Sequence, residues 1–572
     1  MLDWVVLALA LAYLALLFLI AWAGDRRTRP PGRAPAVYAL AIGVYCTSWT
    51  LYGAVGVAAE GGLDYLAIYV GPILVMGLAW PLIARMVRIA RTENLVSISD
   101  FISARYGKSR AVAVFVTSTA AVGLLPYFAL QLKAITISFE ALAGDVGGLP
   151  GGTTLIVAVA MAAFAVLFGV RSVNANEPHR GLMLAVATES VVKLAAALLV
   201  GGAVAFFTFG SPGGFAATVR ADPDLVRLLS LDALDQGWWA TCMLAALAFL
   251  CLPRQFHVAV VENTHIDDVR TAAWAFPLYL VAINLFVLPV AVAGLALFPD
   301  GGVQPDTFMV AIPRELGWPV LALVAFLGGL SAATGMIIVA TLALGTMVSN
   351  DLILPLLARH AGLRARWEAN PGPALLAARR VAVVGIMALA YLCYLVVAPA
   401  FPLAAIGLIS FAAVAQFAPA LIGGLFWRRA TAAGAIAGIG AGFLGWIWAV
   451  AVPAFAAAGW LPPDLVADGP WGMGWLNPRA LGGLALDQQL HGILWSIGPN
   501  VALYVVVSLL TEPTPAERRQ AQVFVGLPAP ALGRGRTRRA PRCSGRSPRG
   551  WCRPARARPA GRRARGSAGS RG

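Results

Sequence analysis

Two stretches of this chain interrupt long apolar runs with residues able to bind something. Gly43-Val44-Tyr45-Cys46-Thr47-Ser48-Trp49-Thr50 sets a glycine and three hydroxyls inside one run, and Leu252-Pro253-Arg254-Gln255 sets a proline, a guanidinium and an amide inside another. A helix opened at such a place frees backbone carbonyls and N–H groups for a cation or a small polar solute. The plainer alternative is that the hydroxyls bond back to their own helix and that Pro253 merely ends one. Glu189 and Lys193 stand four apart with the acid first, which suits pairing on one helix face. Gln131, Asn284 and Gln416 either line a solute path or bridge helices, and Trp49, Tyr52 and Tyr127 either shape a pocket or pack. His257 beside Arg254 suits the mouth of a site, with no carboxylate paired to it by spacing. Lys133 and Glu140 fit the end of a helix, where a lysine stem can lie along apolar surface. The six cysteines form no C-x-x-C pair and four lie in apolar runs, as buried thiols do. No nucleophile–base set, phosphate-binding loop or metal-ligand spacing is present, so the expectation is not an enzyme and no cofactor.

The elements that must hold these residues follow from composition. Of 572 residues, 59% are hydrophobic and 12% charged, with mean hydropathy +0.77, which excludes an ordinary soluble domain and points to an all-α polytopic membrane protein. A span needs about 20 apolar helical residues. Thirteen such runs occur, from 4–22 and 38–57 through 238–256 and 318–349 to 487–510. The first is read as a retained anchor, because its run is too long for a signal peptide and Asp3 stands where basic residues would be. The formal charge of +16 resides in the tail: residues 534–572 hold 14 arginines and no acid, leaving +2 for the rest. This argues against a nucleic-acid partner. Lys and Arg in alternate loops divide 21 against 4, which places the N-terminus outside and the C-terminus in the cytoplasm of a multi-pass inner-membrane protein.

The two interruptions fall five spans apart, the spacing expected of two inverted five-helix repeats, 38–209 and 238–427. From pattern alone this reading and the plainer one stay level. Longer motifs add to it. YALAIGVYCTSWTLYGAVG, LDYLAIYVGP, SISDFISARYG and LPYFALQLKAI within Val37 to Leu142, then EPHRG from Glu177, LPRQFHVAVVEN at 252–263, FPLYLVAINLF at 276–286, FLGGLSAATGMIIVA at 326–340, FAPALIGGLFWRRATAAGAIAG at 417–438 and HGILWSIGPNVALYVVVSLL at 491–510 together resemble the sodium:solute symporter family, in its branch fused to sensor histidine kinases.

That resemblance implies a thirteen-helix bundle with one extra helix before the ten-helix core and two after it. It implies sodium-coupled uptake of a small organic solute, such as an amino acid, by alternating access. The alternative it carries is a solute-sensing input module for a kinase or response-regulator system. A kinase part is not expected in this chain, since all five histidines precede residue 492. The resemblance also implies a sodium ion between spans 2 and 9, held by the carbonyls of Gly43 and Cys46 with Thr47 adjacent, the carbonyl of Gly328 and the hydroxyl of Ser331. Ala332 stands where the family commonly has a second hydroxyl, and Thr334 is a distant substitute. The plainer reading of Gly328 to Ala333 is small-residue helix packing.

The domain reading is thus a transmembrane unit at 1–526 and a basic low-complexity tail at 527–572. The tail is too polar to bury a core and reads as disordered. It suits contact with anionic membrane lipid, at about 1 kcal/mol per basic residue. A change of reading frame in a GC-rich gene, or truncation of a longer kinase, is the favoured account of the abrupt change of composition.

Overall fold

The computed structural model describes residues 2–26, 33–143, 152–169, 179–231, 234–359, 371–484 and 486–526. The expected tail, the Glu177 end of the EPHRG motif and the loop residues Arg27, Arg29, Arg171, Arg364 and Arg366 lie outside them. Among the described residues every regular element is a helix. Ten helices are long and apolar enough to cross a membrane, and eleven when the bent pair Gln236–Cys251 and Pro253–Val261 counts as one. The chain is a multi-pass helical membrane protein.

Each of the thirteen apolar runs contains a helix, but length alone does not divide them as expected. The run at 38–57 is split, leaving Pro35–Tyr45 too short to span, while its second half continues past Gly62 as Trp49–Leu78. The run at 153–170 is likewise represented by a short apolar helix, Gly152–Leu167. A centre and a periphery are clear. In Pro319–Leu357, 83% of the apolar window is buried, against 22% in Val5–Asp25, so the former is the central post and the latter faces lipid.

Small residues bring the helices around that post into contact. A Cβ on Gly328 would come to 2.4 Å from the Ala196 Cβ, and one on Gly335 to 2.5 Å from Glu189 Oε2. Helices that lack side-chain bulk at the crossing approach closely, the main source of helix attraction where lipid removes the hydrophobic drive. Gly328 is thus a point of close packing against Arg180–Phe209.

Both expected breaks are present. The first helix closes in a 3₁₀ turn at Gly43–Tyr45, Cys46 is extended (φ −74°, ψ 109°), and the chain re-enters as a π turn at Trp49–Gly53. In the second, Leu252 is extended (φ −61°, ψ 122°) between Gln236–Cys251 and Pro253–Phe256. The proline ring disfavours helical geometry in the residue before it, and its missing N–H costs nothing at a helix start. The helix bends by 54° there.

Candidate solute site at two helix breaks

At the first break the Gly43 carbonyl still accepts the Cys46 N–H at 3.0 Å, and both it and the Cys46 carbonyl are reached by a lysine. Lys193 Nζ, from Arg180–Phe209, donates to each at 2.6 Å. An ammonium in a membrane interior needs acceptors, and an opened helix supplies them without a counter-charge. Lys193 and Glu189 thus go to different partners. Glu189 Oε1 accepts from Thr334 Oγ1 at 2.8 Å, its backbone carbonyl accepts from Ser331 Oγ at 3.0 Å, and Tyr13 OH donates to Ser331 Oγ at 2.7 Å. Glu189 Oε2 has no hydrogen-bond partner. Thr47 Oγ1 lies 3.2 Å from Tyr127 OH, turned away from the two carbonyls. Of the residues expected to hold sodium, Gly43 and Cys46 carry Lys193 on their carbonyls, Thr47 Oγ1 is within bonding distance of Tyr127 OH, and Ser331 Oγ is bonded to the Glu189 carbonyl and to Tyr13.

The second break meets the first across the 125–143 helix. Arg254 is 1% exposed, its guanidinium carbon lies 4.3 Å from the Tyr127 ring centroid, and Nη2 donates to Tyr127 OH at 2.9 Å. Its Nε and Nη1 have no partner. Ser48 Oγ donates to Gln131 Oε1 at 2.7 Å, leaving Gln131 Nε2 free, and Gln255 Nε2 donates to the Ile42 carbonyl at 3.3 Å, leaving its oxygen free. Trp49, Tyr127 and Phe411 close an aromatic wall, with centroids 5.2 Å (Trp49–Phe411), 5.8 Å (Tyr127–Phe411) and 6.3 Å (Trp49–Tyr127) apart. Trp49 Nε1 is buried and unpartnered. So many unmet buried donors in one place are costly unless a ligand completes them.

Trp49 also lines a cavity of about 300 Å³ whose other walls include Tyr65, Trp238, Asp64, Asp235 and Asp487. The ring is slotted between glycines: a Cβ would come to 2.6 Å from Cδ1 at Gly53 and to 2.5 Å from Cε3 at Gly407. The cavity thus touches the aromatic wall at Trp49.

Two expected pathway residues lie elsewhere. Tyr52 OH donates to the Ala325 carbonyl at 3.1 Å and packs on Gly329 of the central post. Gln416 Oε1 accepts from Asn500 Nδ2 at 2.9 Å and Gln416 Nε2 returns to the Ala412 carbonyl, so this side chain bridges to the 488–510 helix. Trp49, Tyr127 and Gln131 lie near one another at the first break. Arg254, Gln255 and Ser48 lie in the two interrupted stretches, whereas Phe411 sits in an unbroken apolar run that nothing in the sequence marked.

A charged cluster lies below the second break. Glu262 Oε1 lies 2.7 Å from His179 Nδ1 and 3.1 Å from His257 Nε2, while Oε2 accepts the His179 backbone N–H at 2.8 Å. The three ligand-type atoms are within 4.8 Å, close enough to surround a metal ion, but 2.7 Å is a proton-sharing distance and the arrangement is that of an ion pair. Burial pushes the Glu262 carboxyl up, yet the hydrogen bonds from His179 and His257 outweigh it and hold it below the usual carboxylate range. Burial pulls His179 down, and the Glu262 bond more than reverses this and raises it. His257 thus has the carboxylate that spacing did not reveal.

Against known proteins, no family model matches the sequence. No curated protein matches it either. Among solved structures, a Na+-coupled sialic acid symporter in a substrate-bound outward-open state superposes with TM-score 0.60 and 13% identity, over 90% of this chain and 98% of that one. MhsT in complex with L-phenylalanine superposes with TM-score 0.42 and 16% identity, over 84% of this chain and 99% of that one. The two breaks and their central post therefore belong to a chain that has the helical fold of the Na+-coupled sialic acid symporter.

Proposed function

We propose that the chain is a secondary transporter that moves a small carboxylate-bearing organic solute, such as an amino acid, across the cell's inner membrane by alternating access. The observation that carries this reading is Arg254: a buried guanidinium at a helix break, with two nitrogens unpartnered and an aromatic wall beside it. A carboxylate would accept from the free N–H groups, and charge-assisted bonds of this kind are the strong ones in a dry site. Gln131 Nε2 and Trp49 Nε1 offer further donors, and Gln255 Oε1 an acceptor suited to an ammonium or amide on the same solute. The aromatic wall would cover the solute's apolar part. Alternation would come from the repeats 38–209 and 238–427 rocking about the two breaks, with the N-terminus outside and the C-terminus in the cytoplasm. Sodium-coupled uptake, the form the family resemblance implies, needs an ion seat that Gly43, Cys46 and Ser331 do not offer while Lys193 is on the carbonyls.

A specific contact supports a second reading, solute sensing. Phe256, two residues beyond Arg254, packs on Phe101 at 5.4 Å, and Phe101 packs on Phe524 of the helix Pro515–Gly526 at 5.1 Å. A change at the break would thereby reach the C-terminal helix, where a kinase or response-regulator system could read it.

Vesicles bearing the chain, given labelled amino acids and their amides, separate these. Accumulation of the acids but not the amides is the expected result. Binding without accumulation favours sensing, and neither binding nor accumulation of any carboxylate overturns the solute reading. Reporter fusions after Leu510 check the orientation.

A further inference from the structure

We propose that Lys193 is a built-in cation: its ammonium permanently fills the seat that a free ion would take at the first helix break, so the chain engages its solute without sodium at that place. This rests on the transporter reading above and names how its site is charged.

Four observations converge. The seat itself is formed, because the break leaves the carbonyls of Gly43 and Cys46 pointing to one spot, and Lys193 Nζ is 2.6 Å from both. A sodium ion on the same two oxygens would have to share their lone pairs with a like charge in contact. The hydroxyls that the resemblance offers an ion already have partners: Ser331 Oγ donates to the Glu189 carbonyl and accepts from Tyr13 OH, Thr334 Oγ1 donates to the Glu189 carboxylate, and position 332 is alanine. Gly43 itself lies close against the helix that carries the lysine, since a Cβ there would come to 2.9 Å from Ser190 Oγ.

The fourth observation is the local charge. Lys193 and Arg254 are two buried cations and Glu189 is a buried acid one turn before Lys193 on the same helix; Cys46, Tyr13, Tyr45, Tyr127 and Tyr279 are other titratable groups around them. With Glu189 ionised the set carries an excess of one positive charge. A solute carboxylate on Arg254 neutralises it, whereas a sodium ion doubles it. Buried uncompensated charge is strongly unfavourable, so the arrangement selects for an anion and against a second cation.

Binding of ²²Na⁺ to the purified full chain tests this without any solute. In the parent, no saturable sodium binding should be sensitive to Ser331→Ala. Lys193→Met, which vacates the carbonyls but keeps the stem, should gain one saturable site at least tenfold tighter than any the parent shows at this place. Saturable parent binding that Ser331→Ala abolishes overturns the proposal, as does a Lys193→Met isotherm equal to the parent's. Should Lys193→Met not fold, Lys193→Gln replaces it, and the comparison of parent with Ser331→Ala decides alone. Vesicle uptake is read separately: a parent that binds sodium here yet accumulates solute loses only the built-in cation, and one that binds none and accumulates nothing loses only transport.

Discussion

Arg254 and Tyr127 are joined twice, by a guanidinium lying 4.3 Å from the ring centroid and by a hydrogen bond of 2.9 Å from Nη2 to the same residue's hydroxyl. The stacking fixes the plane of the guanidinium and leaves its other edge for a ligand. Arg254→Met should weaken carboxylate binding about 100-fold, the scale of losing a desolvated charge pair. Arg254→Lys should recover only part of this, because a point charge cannot form the fork. Equilibrium binding of labelled amino acids measures both, and an unchanged affinity in Arg254→Met places the solute elsewhere.

Gly407→Ala should displace the Trp49 ring. The new Cβ would stand 2.5 Å from Cε3 and Cζ3, atoms of the six-membered ring. Overpacking of this kind costs about 1–3 kcal/mol, and the ring's escape is into the cavity it lines. Thermal melting in detergent should fall and solute affinity with it. Trp49→Phe in the same background should restore the melting temperature, since the atoms in collision are gone.

Gln416 and Gln131, alike in the sequence, should separate in assay. Gln416→Leu removes the bond to Asn500 and leaves a buried donor unmet, a loss of about 1–3 kcal/mol in stability. Solute affinity should stay within about twofold. Gln131→Leu should reduce affinity, because its free amide nitrogen is at the aromatic wall.

The Glu262 cluster gives stability a pH window. Glu262 is depressed, so its contribution is present above the ordinary carboxyl value of 4.5 and is lost as pH falls through its lower folded value. His179 is raised, so its contribution is complete below the ordinary imidazole value of 6.5 and is lost as pH rises through its higher folded value. The melting temperature should therefore be highest between these two ordinary values. Glu262→Gln should flatten both flanks and cost about 3 kcal/mol, the scale of leaving one partner of a buried pair alone.

Local chemistry was enough to decide the apolar runs and the two breaks, but not how the runs divide into spans: thirteen were expected, and among the described residues ten helices, or eleven with the bent pair, are long and apolar enough. Apolar runs of membrane length, a glycine followed by hydroxyls at 43–50 and a proline at 253 each act through their own backbone, and short-range rules of helix opening read them from the chain alone. Trp49, Tyr127 and Gln131 were legible for the same reason, lying at or opposite a break. What fills the space between helices was not legible, because it depends on which face of a distant helix is turned inward. Glu189 and Lys193 are four apart and suit a pair, but only the crossing at Gly43 brings the ammonium to two carbonyls 150 and 147 residues away. Gln416 and Tyr52 carry pathway chemistry by type, and the packing turns one to Asn500 and the other to the central post. His179 and Glu262 are 83 residues apart, so their ion pair exists only once the bundle has closed.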